Sequence, residues 1–231
     1  MNVRFLLIAS CLLIPLAAAA VAATREQKEF SQVMAAKPDH DHGAALFANC
    51  VACHGADGGG VTSGSVPRIA GQHYNVVVRQ IVQFRGGKHW DMRMEGVANS
   101  NEILKRPQDI ADVAAWVSSL SVDGKRGIGD GINVERGQAI YQASCAACHG
   151  KQGEGDARKE VPRLAGQHAP YLARQIYDAV DNRRPALATS HRRRLAPLTF
   201  EEVQGLTDYL SRIGWQQEIL PANGETAPPG H

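Results

Sequence analysis

Cys50-Val51-Ala52-Cys53-His54 returns as Cys145-Ala146-Ala147-Cys148-His149, and the reading of this pair decides the fold. The second copy begins 95 residues after the first. The same offset carries Pro67-Arg68-Ile69-Ala70-Gly71-Gln72-His73 onto Pro162-Arg163-Leu164-Ala165-Gly166-Gln167-His168, and Arg79-Gln80-Ile81 onto Arg174-Gln175-Ile176. Three blocks in one register mark a tandem duplication of a unit of small-domain size.

Working outward, the two units occupy residues 43–121 and 134–215. Residues 1–23 combine Arg4, an apolar stretch and Ala20-Val21-Ala22, the pattern of a cleaved signal peptide. Export to the periplasm is therefore expected, with no membrane span left in the mature chain. Residues 24–42 read as a loose N-terminal arm. Their Asp39-His40-Asp41-His42 run offers metal donors without a defined spacing and reads as solvated linker. Residues 122–133 read as a glycine-rich interdomain linker, and 216–231 as a flexible tail.

Each unit reads as all-helical. Short helices lead into the cysteine frames, and central helices are expected over 74–84 and 170–180. The last helices carry apolar stripes through Ile110, Val113, Ala114, Val117 and Leu120, and through Val203, Leu206, Leu210 and Ile213. Thr199-x-x-Glu202 is a capping box. Gly58-Gly59-Gly60 lacks the Lys-Ser/Thr of a phosphate loop and reads as a turn.

The formal charge of +2 is too balanced to suggest a nucleic-acid partner, and no basic-aromatic motif appears. Thirteen aromatic residues in 231 are few for two separate cores, and small domains usually need a staple. Of five cysteines, Cys11 lies in the leader, which leaves four in the two frames.

Cys-x-x-Cys-His is the attachment signature of c-type haem. Two thiols three residues apart reach one porphyrin edge, and the following histidine points at the iron. Cys50 and Cys53, then Cys145 and Cys148, would hold two covalent haems, with His54 and His149 as iron ligands. The haems also supply the missing apolar core. A dithiol redox pair would sit beside a βαβ pattern, which is absent. A shared zinc site would not give each pair its own histidine. Structural disulfides within so tight a spacing are unusual.

With these motifs the chain resembles the two-domain, dihaem class I cytochromes c of the cytochrome c4 type, over about residues 43–214. The resemblance implies an all-α fold of two tandem class I cytochrome c-like haem domains. It implies that the Pro67 carbonyl serves His54 and the Pro162 carbonyl serves His149. It also implies an axial methionine in a loop before each last helix. Met94 fits that place in the first unit, with Met92 as its rival. No methionine follows Met94 in the chain. His191 stands where the second methionine is expected and is read as the ligand of the second iron, which is otherwise open. His168 competes, but His73 repeats it in the unit that has a methionine.

A His/Met haem has a higher potential than a bis-imidazole one, so electrons are expected to run from the second unit to the first. Arg183, Arg184 and Arg192-Arg193-Arg194 make the second ligand segment basic, suited to haem carboxylates or to an acidic partner. The expected function is single-electron transfer between redox partner proteins. Alternatives are an oxidase or peroxidase acting at an open second iron, and a cytochrome subunit of a dehydrogenase complex.

Overall fold

A computed structural model describes residues 23–122 and 124–214. The expected leader and tail fall almost wholly outside the described residues. Among those described there are helices and no strand, with a single antiparallel bridge between Asp156 and Val161.

The first unit contains α1 (Arg25–Ala35), α2 (His40–Phe47), α3 (Val51–His54), α4 (Tyr74–Arg85), α5 (Met92–Ala98) and α6 (Pro107–Ser119). The second contains α7 (Val134–Ser144), α8 (Ala146–His149), α9 (Ala169–Val180), α10 (Thr189–Leu195) and α11 (Phe200–Arg212). In each unit the first long helix of the repeat crosses the last one. A Cβ on Gly43 would land on the Asp112 carbonyl, and one on Gly137 would land on Gly205, so glycine sets both crossings. The ends are fixed locally. Asp109 accepts from the N–H groups of Lys105 and Arg106, each at 2.9 Å. Thr199 and Glu202 form the reciprocal cap of α11.

The cores differ in size. The first buries Phe47, Val78, Val82, Ile110, Val113, Ala114 and Val117 in one cluster. The second is built on Tyr141, Leu172, Leu206, Tyr209 and Leu210.

Two expectations are corrected. The N-terminal arm is not loose. Thr24 and Gln27 cap α1 reciprocally, Val33 is fully buried, and Phe30 lies under the Arg79 guanidinium at 4.0 Å. Glu29 pairs with Arg85. Two apolar side chains and one ion pair suffice to seat the helix on α4 and α6. The Asp39–His42 run begins α2. Asp39 accepts from His42 N at 3.0 Å, while His42 Nδ1 meets Asp112 Oδ2 at 2.7 Å.

The linker is tied down as well. Asp208 accepts from the N–H groups of Gly129 and Gly131 at 3.0 and 2.6 Å, and Arg212 donates to Gly129 O at 3.0 Å. Arg68 donates to the carbonyls of Val122 and Lys125. Glycine leaves backbone N–H groups accessible, and here a buried carboxylate collects them.

The units meet through a pseudo-twofold arrangement built from the repeated blocks. Gln72 accepts from Arg163 N at 2.9 Å and donates to Arg163 O at 3.0 Å. Gln167 accepts from Arg68 N at 3.0 Å and donates to Arg68 O at 2.8 Å. His73 Nε2 meets Glu154 O and His168 Nε2 meets Gly59 O, both at 2.8 Å. Each contact recurs with the units exchanged, as in an isologous dimer. The Arg-Gln-Ile block joins in: Arg79 pairs with Glu160, and Arg174 donates to Gly64 O at 2.8 Å.

Candidate functional site

The site of the first unit starts from α3, a single turn that carries Cys53 and His54 just after Cys50. A wide cavity opens beside it. Cys50, Cys53, His54, Pro67 and Met94 line one end, with Val77, Ile81, Phe84 and Val97 as apolar wall. The cavity continues across the unit boundary to Gln167, Tyr171 and Arg184. His54 Nδ1 lies 3.1 Å from Pro67 O. That contact makes Nδ1 the donor and leaves Nε2 with its lone pair. Burial lowers the pKa of His54, opposed by this hydrogen bond, so the ring stays neutral and able to bind metal.

The second unit repeats the arrangement on α8. His149 Nδ1 lies 3.2 Å from Pro162 O, and burial again lowers its pKa. All four thiols are free of disulfides. Burial, with Cys53 nearby, pushes Cys50 up to about 11, and burial also raises Cys145.

The residues expected as sixth ligands separate clearly. They lie on short helices rather than in loops. Asp91 caps α5, accepting from the N–H groups of Arg93 and Met94 at 3.0 and 3.3 Å. This turns Met94 into the cavity, packed against the first core, while Met92 is 75% exposed. In the second unit α10 brings the His191 ring to 6.1 Å from that of His149, centre to centre. Two imidazoles that share one metal, each with a metal–nitrogen distance of about 2.0 Å, have centres about 6 Å apart. His191 Nδ1 is buried without a partner among the described residues, and burial, with His149 and two arginines nearby, lowers its pKa. His168 is differently engaged. Its Nδ1 accepts from Gly127 N at 2.9 Å and its Nε2 donates to Gly59 O, so neither nitrogen remains for a metal.

The donor set fits a c-type haem in each unit, with two free thiols and a neutral imidazole backed by a carbonyl, and in the first unit a cavity beside the ring leaves space for a flat apolar group. Gln72 and Gln167 were visible in the sequence as repeated residues, but their bridging role was not.

Comparison with known proteins gives one consistent picture. The Cytochrome c family model matches residues 40–121 and 134–213. Cytochrome c4 of Pseudomonas aeruginosa is 33% identical over 144 residues, covering 59% of this chain and 68% of that protein. Cytochrome c4 of Stutzerimonas stutzeri is 28% identical over 193 residues, 76% of this chain and 89% of that one. A protein named thiosulfate dehydrogenase electron acceptor, from Stutzerimonas stutzeri, is 28% identical over 73% of this chain and 80% of its own. Among solved structures, reduced cytochrome c4 from Pseudomonas stutzeri superposes with a TM-score of 0.67 at 26% identity, covering 77% of this chain and all of that one. Thiosulfate dehydrogenase from Marichromatium purpuratum gives 0.68 at 27% identity, covering 83% of this chain and 43% of that one.

Proposed function

The chain belongs to the cytochrome c family, and from that premise we propose that it is a periplasmic carrier with one His/Met haem and one His/His haem. As a cytochrome c4-like protein it is a dihaem electron-transfer cytochrome with two covalently bound haem c groups, and it works with redox partner proteins. The haem supplies one-electron exchange between ferrous and ferric iron. The protein binds it, orients the ligands and excludes water.

In the first unit Cys50 and Cys53 would hold the haem through thioethers, and His54 and Met94 would bind the iron. In the second, Cys145 and Cys148 would hold the haem, and His149 and His191 would bind the iron. Pro67 and Pro162 fix the two proximal rings and raise their basicity. The 6.1 Å spacing of the His149 and His191 rings carries this reading. With His149 and His191 both bound, the second iron would have no open position for oxidase or peroxidase chemistry. The export pattern in residues 1–23 supports the periplasmic assignment. No helix among the described residues is long and apolar enough to cross a membrane.

Magnetic circular dichroism and electron paramagnetic resonance of the oxidised protein test the ligation. One His/Met set and one bis-imidazole set are expected. Met94→Ala should remove the first set alone, and His191→Ala the second alone. A His191→Ala spectrum equal to wild type refutes the second assignment.

The relatives named for thiosulfate dehydrogenase support a second reading, in which the donor is a dehydrogenase of sulfur compounds. Transient exchange and permanent attachment are told apart by whether the two co-purify.

A further inference from the structure

Among the described residues Arg184 has no hydrogen-bonded or ion-paired partner for its side chain. It follows α9 in the second unit, yet it lines the cavity that holds Cys50, Cys53, His54 and Met94 of the first. Its neighbours are committed elsewhere: Arg183 lies 3.5 Å from Asp178, and Arg174 donates to Gly64 O. Burial holds Arg184 below the usual arginine range, with Tyr171 and Asp178 acting against it. Arg184 is half-buried and shares the single Asp178 carboxylate with Arg174 and Arg183, so positive charge is in excess here and the position suits an anionic ligand.

The repeat sharpens the point. Ninety-five residues earlier the first unit carries His89. That ring stacks on Phe84 at 4.2 Å, and its Nε2 meets Gln175 Oε1 at 3.0 Å. Burial, with Arg184 nearby, pushes its pKa down to about 3, so it is neutral. Tyr171, which also lines the cavity, is matched by Val76. The second unit thus presents a cation and a phenol to the first unit's cavity. Their counterparts in the first unit are a neutral ring and an alkyl group.

We propose that Arg184 is the counter-charge for the carboxylate groups of the haem seated in the first unit, so that the second unit completes the first unit's cofactor site. This rests on the reading of the cavity as a haem site, but not on which residues are the sixth ligands. A guanidinium of fixed charge binds carboxylates through paired N–H donors. Placed near the iron, it favours the reduced, less positive state. Two independent features then raise the first unit's potential, namely the thioether ligand and a cation supplied across the boundary.

The test is a redox titration of the intact dihaem protein, followed by the hyperfine-shifted haem methyl resonances. These separate the two haems whatever their axial ligands. In Arg184→Gln the first unit's midpoint should shift downward. The second should shift less, since the charge is also felt at His191. Arg184→Lys should retain most of the wild-type value. Arg183→Gln, which removes a neighbouring charge held by Asp178, should shift the first midpoint much less than Arg184→Gln does. An unmoved first midpoint in Arg184→Gln overturns the proposal. So does a larger shift at the second haem, or an Arg183→Gln shift equal to that of Arg184→Gln. Should Arg184→Gln fail to fold, the wild-type Arg184 Nε–H resonance decides. Slow solvent exchange and movement chiefly with oxidation of the first haem support the proposal, and fast exchange overturns it. A failure of the ligand assignment shows separately, as spectra without His/Met or bis-imidazole signals.

Discussion

The Gln72 carboxamide brackets the main chain of Arg163, accepting from its N–H at 2.9 Å and donating to its carbonyl at 3.0 Å. Gln167 does the same to Arg68. Each amide makes two hydrogen bonds across the boundary, and a net hydrogen bond contributes about 1 kcal/mol. Gln72→Ala and Gln167→Ala should each cost about 2 kcal/mol in denaturant unfolding. Hydrogen exchange should speed up at Arg163 N–H in the first variant and at Arg68 N–H in the second. Unchanged protection at these amides would show that the brackets do not hold the units together.

Acid should loosen the same boundary. His168 is fully buried and uses its Nδ1 lone pair to accept from Gly127 N. Burial, with Arg68 nearby, lowers its pKa, and burial takes His89 to about 3. Below the ordinary histidine value near 6.5 the unfolded chain takes up protons that the folded one refuses. The stability from these neutral rings is therefore complete above about pH 6.5 and falls as pH drops, for His89 until about pH 3. Unfolding at pH 7 and pH 5 should show the lower stability at pH 5, with a smaller difference in His168→Gln. Equal stabilities at the two values would contradict this.

Asp208 is nearly fully buried and collects two linker N–H groups together with Arg212. Asp208→Asn keeps the shape and removes the charge from these bonds. A loss of roughly 2 kcal/mol is expected, as for hydrogen bonds to an ionised acceptor. Limited proteolysis should then cut residues 124–133 faster than in the wild type. A linker as resistant as before would mean that Arg68 alone secures it.

His191→Met would give the second unit the ligand its sequence lacks. Thioether ligation raises a haem potential relative to imidazole, so the second midpoint should move toward the first. Two unaltered midpoints would detach His191 from the iron.

Much of the site was legible in the sequence because its chemistry is local. The two Cys-x-x-Cys-His frames name their own donors, and Pro67 and Pro162 lie close enough to meet His54 and His149 through one short loop. The last helix of each unit followed from apolar spacing, whereas α5 and α10, too short to show a stripe, read as loops. The N-terminal helix was missed because Arg25, Glu26, Lys28 and Glu29 hide a stripe of only Phe30 and Val33. The linker was misread because its glycines suggest freedom. The residues that restrain it, Arg68, Asp208 and Arg212, lie far away in sequence. Gln72 and His73 were recognisable as repeated residues. Their function exists only between two units, and one unit's sequence does not contain it.

The grip of Gln72 and Gln167 on peptide groups has a consequence for how the two halves can diverge. A side chain that reads only its partner's main chain is indifferent to which residue it holds, so Arg68 and Arg163 can change without breaking the bracket. The two brackets are thereby indifferent to the side chains that surround them. One half can take a methionine and a neutral His89, the other a histidine and a charged Arg184, while the seam between them stays the same.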